Sequence, residues 1–342
     1  MIWAQAWAEL LSLSPVIPPW AVAVIAITFL HGAVIVPSAV VFNYLDRKIT
    51  ADLQARVGMN RAGPHGIGQF MADLLKLLEK GISRGRGAPG LPWFSVHTMA
   101  LYSTVAALPL GGGLILLDTD MSALIPIWSC ILLALGTMLL GLDQRTVAGG
   151  FGGLRQAAQA LAGSFPVTLA IIAVAFKSGG FKWTAIVTAQ GAFPHQWMAL
   201  SDPFSFMAFW VFLCGGLILL SVAPFDSALS PMELAGGVSS GVAGRRLTLV
   251  WFGRFYGFFF WATMTAVLFL GGWSLPENLK TLLGEVGGTN LVRVFEAACL
   301  VSKSFAVMLS WVLVARVIPR LRSDQITGFS WKILSPAALL SL

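Results

Sequence analysis

Charge is what this chain has least of. Only 11% of its 342 residues are Asp, Glu, Lys or Arg, while 57% are hydrophobic. Soluble domains carry about 25% charged residues. So few polar side chains could not cover the surface of a water-soluble globule, and a soluble fold is excluded. The composition reads as a single polytopic membrane domain over residues 1–342, all-α, with the lipid bilayer as its solvent. Acid is scarcer than base: 15 Asp and Glu stand against 22 Lys and Arg, for a net charge of +7. From Gln144 to Ser201 there is no acid at all. In a soluble protein this balance would suggest nucleic acid. In a membrane protein it reports topology, because Lys and Arg are retained on the cytoplasmic side. No nucleic-acid partner is implied.

Cysteine and histidine are also sparse. Cys130, Cys214 and Cys299 lie far apart in apolar segments, with no CxxC or Cys/His spacing. That excludes a zinc or cluster site of the usual kind and leaves three small buried hydrophobes. His31, His65, His97 and His195 form no ligand spacing and read as structural; His31 falls within the first span as a polar contact. Gly149 to Gly153 (GGFGG) looks like a phosphate loop, but it follows a span rather than a strand and lacks the Walker Lys-Ser/Thr. It reads as a flexible turn before the fourth span. No metal site or nucleotide fingerprint is present, so NADH, flavin or iron–sulfur chemistry would belong to other subunits. The absence of an internal repeat argues against an autonomous secondary transporter. Met1 to Trp20 lacks a basic n-region and contains Glu9, unlike a secretory signal.

What the chain has is apolar length. A helix needs about 20 apolar residues to cross the hydrocarbon core. That ruler gives eight spans, near Trp20–Leu45, Ser95–Leu117, Ala123–Leu142, Gln156–Phe176, Ser205–Ala223, Leu247–Trp273, Asn290–Ile318 and Ile326–Leu342. The odd-numbered loops hold most of the base, including Arg145, Arg155, Arg245, Arg246, Arg320 and Arg322. The positive-inside rule then puts those loops in the cytoplasm and the N-terminus outside, in a bacterial inner membrane. Two cytoplasmic loops stand out, 46–94 and 224–246. Within the first, Ile67, Phe70, Met71, Leu74, Leu77 and Leu78 recur at helical spacing, with Gln69, Asp73, Lys76 and Lys80 on the other face. This predicts a short amphipathic interfacial helix. Arg84 and Arg86 beyond it read as a solvated or lipid-facing patch.

Three separated blocks carry a resemblance. The first is Asp46-Arg47-Lys48, Gln54, Arg56, Gly58, Gly63-Pro64, Gly66, Gln69, Ala72-Asp73 and Lys76. The second is Pro224-Phe225-Asp226 with Glu233-Leu234. The third is Lys303 with Pro319-Arg320-Leu321-Arg322-Ser323-Asp324-Gln325 and Trp331-Lys332; Phe269 to Trp273 (FLGGW) adds a further match. In order and topology these resemble the H-subunit family of NADH-quinone oxidoreductase, the quinone-side membrane component of respiratory complex I. The resemblance implies a non-redox subunit of a translocase, with quinone as substrate and no catalytic activity of its own. Flavin and iron–sulfur clusters would sit on peripheral-arm partners. Small membrane subunits and antiporter-like subunits would be its other partners. It assigns Asp46, Arg47, Gln54, Arg56, Asp73, Lys76 and Phe225 to the quinone tunnel or docking surface. Asp226 and Glu233 become candidates for proton coupling.

The departures fall on acids. At family glutamate positions of the fifth loop stand Leu229, Pro231 and Gly241; span four has none, and Arg254 occupies a glutamate position in span six. Carboxylates raised in pKa by burial can exchange protons near neutral pH, and Arg cannot. The usual acidic proton path is therefore depleted. Glu296 and Lys303, seven residues apart on one helical face, are a substitute polar pair, but at about 10 Å along the axis they need a water or a third group between them. The depletion keeps open a membrane anchor of an energy-converting hydrogenase or formate hydrogenlyase.

Overall fold

A backbone that has lost water must satisfy its own donors and acceptors, and in an apolar chain the helix is the economical way to do so. The computed structural model describes residues 21, 24–25, 28–29, 31–81, 92–112, 115, 117–229 and 231–342, and no strand occurs among them. The segment Met1–Trp20 and the Arg84/Arg86 patch lie outside the described residues. The main helices are α1 (Val36–Leu53), α2 (Gln69–Glu79), α3 (Trp93–Ala107), α4 (Ile125–Asp143), α5 (Val147–Ser178), α6 (Pro203–Leu219), α7 (Arg245–Phe269), α8 (Glu277–Val317) and α9 (Ser323–Phe329). A π-helical turn, Ser330–Leu334, and a last turn, Ser335–Leu340, continue α9. Ser122–Asp143, Val147–Ser178 and Gly288–Val317 are long and apolar enough to cross a membrane.

Several boundaries differ from those the sequence suggests. The first helix runs on to Leu53, so Asp46, Arg47 and Lys48 ride on its last turns instead of opening a loop. The helix of the second span stops at Ala107, because Pro109 and Gly111 follow within four residues. The glycines at 149–153 are helical, not a turn. Thr146 caps α5 by accepting from the Gly149 N–H at 3.1 Å, and the helix is closed by Gly179 in the left-handed conformation, φ 78°. Those glycines serve close packing. A Cβ on Gly153 would sit 2.8 Å from the Met138 carbonyl, and one on Gly152 2.7 Å from the Val238 N. Glycine costs a helix roughly 1 kcal/mol relative to alanine, and the near contact of α5 with α4 and the fifth loop offsets it. At the other end of the chain, Gly288 (φ 68°) breaks the geometry of α8, separating a polar first part from the apolar Gly288–Val317.

Neighbouring helices pack in sequence, α3 on α4, α4 on α5, α5 on α6 and α7 on α8. The core centres on α7. Tyr256, Phe259, Phe260, Trp261 and Phe269 are fully buried, and Trp261 stacks on Phe212 of α6 at 4.2 Å. By contrast only 28% of the apolar window in Gly288–Val317 is buried. An apolar helix that its own chain leaves uncovered needs lipid or another subunit against it. A buried ion pair fixes one end of the bundle: Arg246 of α7 donates to Asp143 of α4 at 3.2 Å and lies over the Trp93 ring at 5.3 Å.

Gly216 of α6 faces Trp261 so closely that a Cβ would enter the indole ring. Gly216→Ala is expected to lower stability by about 1–3 kcal/mol through overpacking. Fluorescence-detected size exclusion of the tagged protein after graded heating measures this; an unchanged melting midpoint would show the α6–α7 contact to be loose.

Candidate functional site

The segment after α6 must leave the helical bundle without stranding its backbone polar groups, and α5 supplies what it needs. Gln156 donates to the Leu219 carbonyl (3.2 Å) and Gln159 to the Phe225 carbonyl (3.0 Å) and Ser227 Oγ (2.7 Å). Ser221 Oγ reaches both amide oxygens, at 2.6 and 2.7 Å. Further along, Gln144 donates to Val238 and accepts from the Gly241 N–H. Trp311 of α8 donates to the Ala223 carbonyl at 3.0 Å, and the Leu321 N–H to the Pro224 carbonyl at 3.1 Å. The Ala223–Pro224 bond is cis. These contacts present Asp226 inward.

Asp226 is 4% exposed. Its Oδ2 accepts from Arg320 at 2.6 Å and lies 3.7 Å from Arg254. Its Oδ1 is buried with no hydrogen-bond partner. Beside it Asp46, on α1, accepts from Arg316 at 2.9 Å. Arg254 also reaches the Ser221 carbonyl at 3.4 Å. The three arginines and two aspartates line a cavity of about 260 Å³. Its remaining wall is apolar and aromatic, with Phe42, Phe255, Phe258 and Trp311. Two carboxylates against three guanidiniums leave one positive charge over. Arg254 thus puts a cation beside Asp226, which it shares with Arg320.

Of the first-loop residues, Asp46 lines this cavity, Arg47 and Asp73 lie beside it across Phe255, and Gln54, Arg56 and Lys76 are at the surface. Arg47 donates to Asp73 at 2.7 Å, and its guanidinium lies 5.7 Å from the Trp251 ring. Gln69 holds the other Asp73 oxygen at 3.1 Å. This pair ties α2 to α1, while Phe70, Leu74 and Leu77 meet Trp251, Phe252 and Phe255 of α7 around a small gap. Gln54 and Arg56 bond to each other at 2.8 Å on the surface, and Lys76 is exposed. Phe225 is buried and stacks on Phe329 at 6.1 Å, outside the cavity wall. Glu233 accepts from Arg155 at 2.6 Å, pinning the fifth loop to α5.

Glu296 and Lys303 have separate partners at the opposite end of α7. Glu296 accepts from the Gly112 N–H at 3.2 Å and lies 3.8 Å from Lys280. Lys303 donates to the Leu270 and Gly272 carbonyls, both at 2.9 Å, and sits 4.9 Å from the Trp197 ring. It caps the C-terminal end of α7, where a cation is favoured. Sequence reasoning missed Arg316, Trp311 and Asp143. Arg316 looks like an ordinary basic flank of a span, and nothing local to it announces a partner 270 residues away.

The NADH dehydrogenase family model matches residues 25–342. The chain belongs to this family. The H-subunit of NADH-quinone oxidoreductase from Anaeromyxobacter dehalogenans is 29% identical over 338 residues, covering 94% of this chain and 80% of that protein. The chain is a divergent member of the H-subunit group. Among solved structures, a chain of the membrane-bound sulfane sulfur reductase, an archaeal respiratory membrane complex, has the same fold. Its TM-score is 0.73 at 24% identity, over 92% of this chain and 98% of that one.

Removing the shared carboxylate leaves two guanidiniums facing each other without an anion. Asp226→Asn is expected to cost roughly 3–5 kcal/mol, as breakage of a buried pair does. Asp226→Asn combined with Arg320→Gln should recover part of the loss. Thermal unfolding of the four proteins of this cycle in detergent provides the test, and strict additivity would rule out coupling between Asp226 and Arg320.

Proposed function

We propose that this chain forms the membrane side of a quinone site in a complex I-like oxidoreductase and passes the energy of quinone reduction to neighbouring membrane subunits. The observation that carries the reading is the cavity at Asp226. It joins an aromatic wall, suited to an isoprenoid or ring surface, to fixed charges and an unpaired carboxylate oxygen able to accept a hydrogen bond from a quinol hydroxyl. Ligand pockets of this kind are mostly apolar with a few placed polar groups. The chain itself binds and orients; electrons arrive from flavin and iron–sulfur clusters on peripheral-arm subunits. Antiporter-like and small membrane subunits cover apolar faces such as Gly288–Val317.

In this reading eight spans cross a bacterial inner membrane, with odd-numbered loops cytoplasmic and the N-terminus outside. Helix α2 lies at the cytoplasmic interface. Its Arg47–Asp73 attachment brings the first loop beside the cavity mouth, and the surface residues Gln54, Arg56 and Lys76 face the peripheral arm. A second reading, the anchor of an energy-converting hydrogenase or formate hydrogenlyase, draws support from the missing acids, because such an anchor need bind no quinone.

Phe42→Trp narrows the cavity without touching its charges. In the native complex it is expected to raise the quinone KM by about tenfold with kcat little changed, the pattern of lost binding common to ground and transition states. Steady-state quinone reduction by the purified complex checks this. An unchanged KM would remove quinone from the cavity. Recovery of a nickel–iron hydrogenase or formate dehydrogenase module with the tagged chain would favour the second reading.

A further inference from the structure

The cavity at Asp226 is unusual in the polar atoms it offers a ligand. Its described lining holds no hydroxyl, imidazole or amide side chain. The indole N–H of Trp311 is spent on the Ala223 carbonyl at 3.0 Å. Side-chain donors toward a ligand are therefore the guanidiniums of Arg254, Arg316 and Arg320, and the acceptors are the carboxylates of Asp46 and Asp226.

These two kinds of group discriminate differently between the redox states of a quinone. A quinone presents two carbonyl oxygens, which only accept. The corresponding quinol presents two hydroxyls, each of which accepts through its lone pairs and also donates. A guanidinium can donate to an oxygen of either form. A carboxylate only accepts, so of the two forms it can bond the quinol alone.

The carboxylate oxygens are not equally available. Asp46 Oδ1 is taken by Arg316 at 2.9 Å, and Asp226 Oδ2 by Arg320 at 2.6 Å. Asp226 Oδ1 is buried and has no partner. The amides that hold this segment, Gln156 and Gln159, donate to Leu219, Phe225 and Ser227 and not to Asp226. An acceptor buried without a donor is costly. A ligand hydroxyl relieves that cost, whereas a ligand carbonyl leaves it in place. Where a water serves this oxygen, a quinol hydroxyl reproduces the hydrogen bond it displaces and a quinone carbonyl does not.

We propose that this cavity is a product-holding site, binding hydroquinones in preference to quinones, with Asp226 Oδ1 accepting a hydrogen bond from a ring hydroxyl. The inference rests on the quinone reading given above and specifies the redox state that the site selects. The apolar wall formed by Phe42, Phe255, Phe258 and Trp311 grips the ring in either state; the open carboxylate oxygen tells the states apart. Binding moves no electron and breaks no covalent bond. A ring reduced by the peripheral arm is thus retained in the membrane subunit and leaves it only by giving up this hydrogen bond.

The test is product inhibition of the purified native complex. A short-chain benzoquinone is the substrate, and its own quinol and the dimethyl ether of that quinol are the added inhibitors. A hydrogen bond to a charged group is worth roughly ten- to hundredfold in affinity. The quinol is expected to compete with the quinone at a Ki at least about tenfold below the quinone KM. The ether keeps the ring but has no O–H, and should inhibit at least about tenfold more weakly than the quinol. Asp226→Asn supplies an N–H that can donate to a quinone carbonyl. It is expected to raise the ratio of Ki to KM about tenfold or more, a ratio that does not depend on how much of a destabilised variant survives. Phe42→Trp should raise Ki and KM together and leave their ratio native. A native ratio of one or more, an ether as potent as the quinol, or a native ratio in Asp226→Asn overturns the preference, while a shift of both constants by Phe42→Trp keeps the quinone reading. If Asp226→Asn does not assemble, the comparison of quinol with ether decides. A Phe42→Trp complex in which neither constant moves refutes the quinone reading itself, and the proposal falls with it.

Discussion

The structure turns on how one irregular segment is satisfied inside a bundle of helices. The chain between α6 and α7 carries backbone groups that the apolar interior cannot leave unpaired. Gln156, Gln159 and Trp311 donate to the Leu219, Phe225 and Ala223 carbonyls, while the Ser221 and Ser227 hydroxyls hold the two glutamine amides in place. All of these are neutral, so the segment is held without burying further charge. Everything at the candidate site follows from that placement. Asp226 faces inward because Phe225 and Ser227 on either side are tied to Gln159, and the arginines converge on Asp226.

The same network explains how the chain tolerates the scarcity of acid. A buried carboxylate needs either a counter-charge or several donors. Here the α5 partners are amides, each able to donate and accept at once. Arginine at 254 then needs an anion, and Asp226 is shared between it and Arg320.

Much of this was legible beforehand. The apolar runs located the helices of α4, α6, α7 and the end of α8, because length and composition alone decide them. The three motif blocks placed the family correctly; the meeting of Asp46, Arg254 and Asp226 around one cavity is what the structure adds. What stayed hidden depends on distance through space. The glycines at 149–153 read as a turn because their value lies in the close approach of Met138 and Val238. Helical spacing puts Lys303 and Glu296 on one face, too far apart for direct contact; it does not reveal that each bonds to backbone of another segment. Phe225 matched a motif, but its ring packs on Phe329.

Helix α1 carries Asp46 and Arg47 on adjacent positions, roughly 100° apart around its axis. Asp46 is bonded to Arg316 at the end of α8, and Arg47 to Asp73 on α2. The helix is therefore a crank with two pins. Two neighbouring side chains of one helix thereby tie α2 at the surface and the end of α8 to the same shaft.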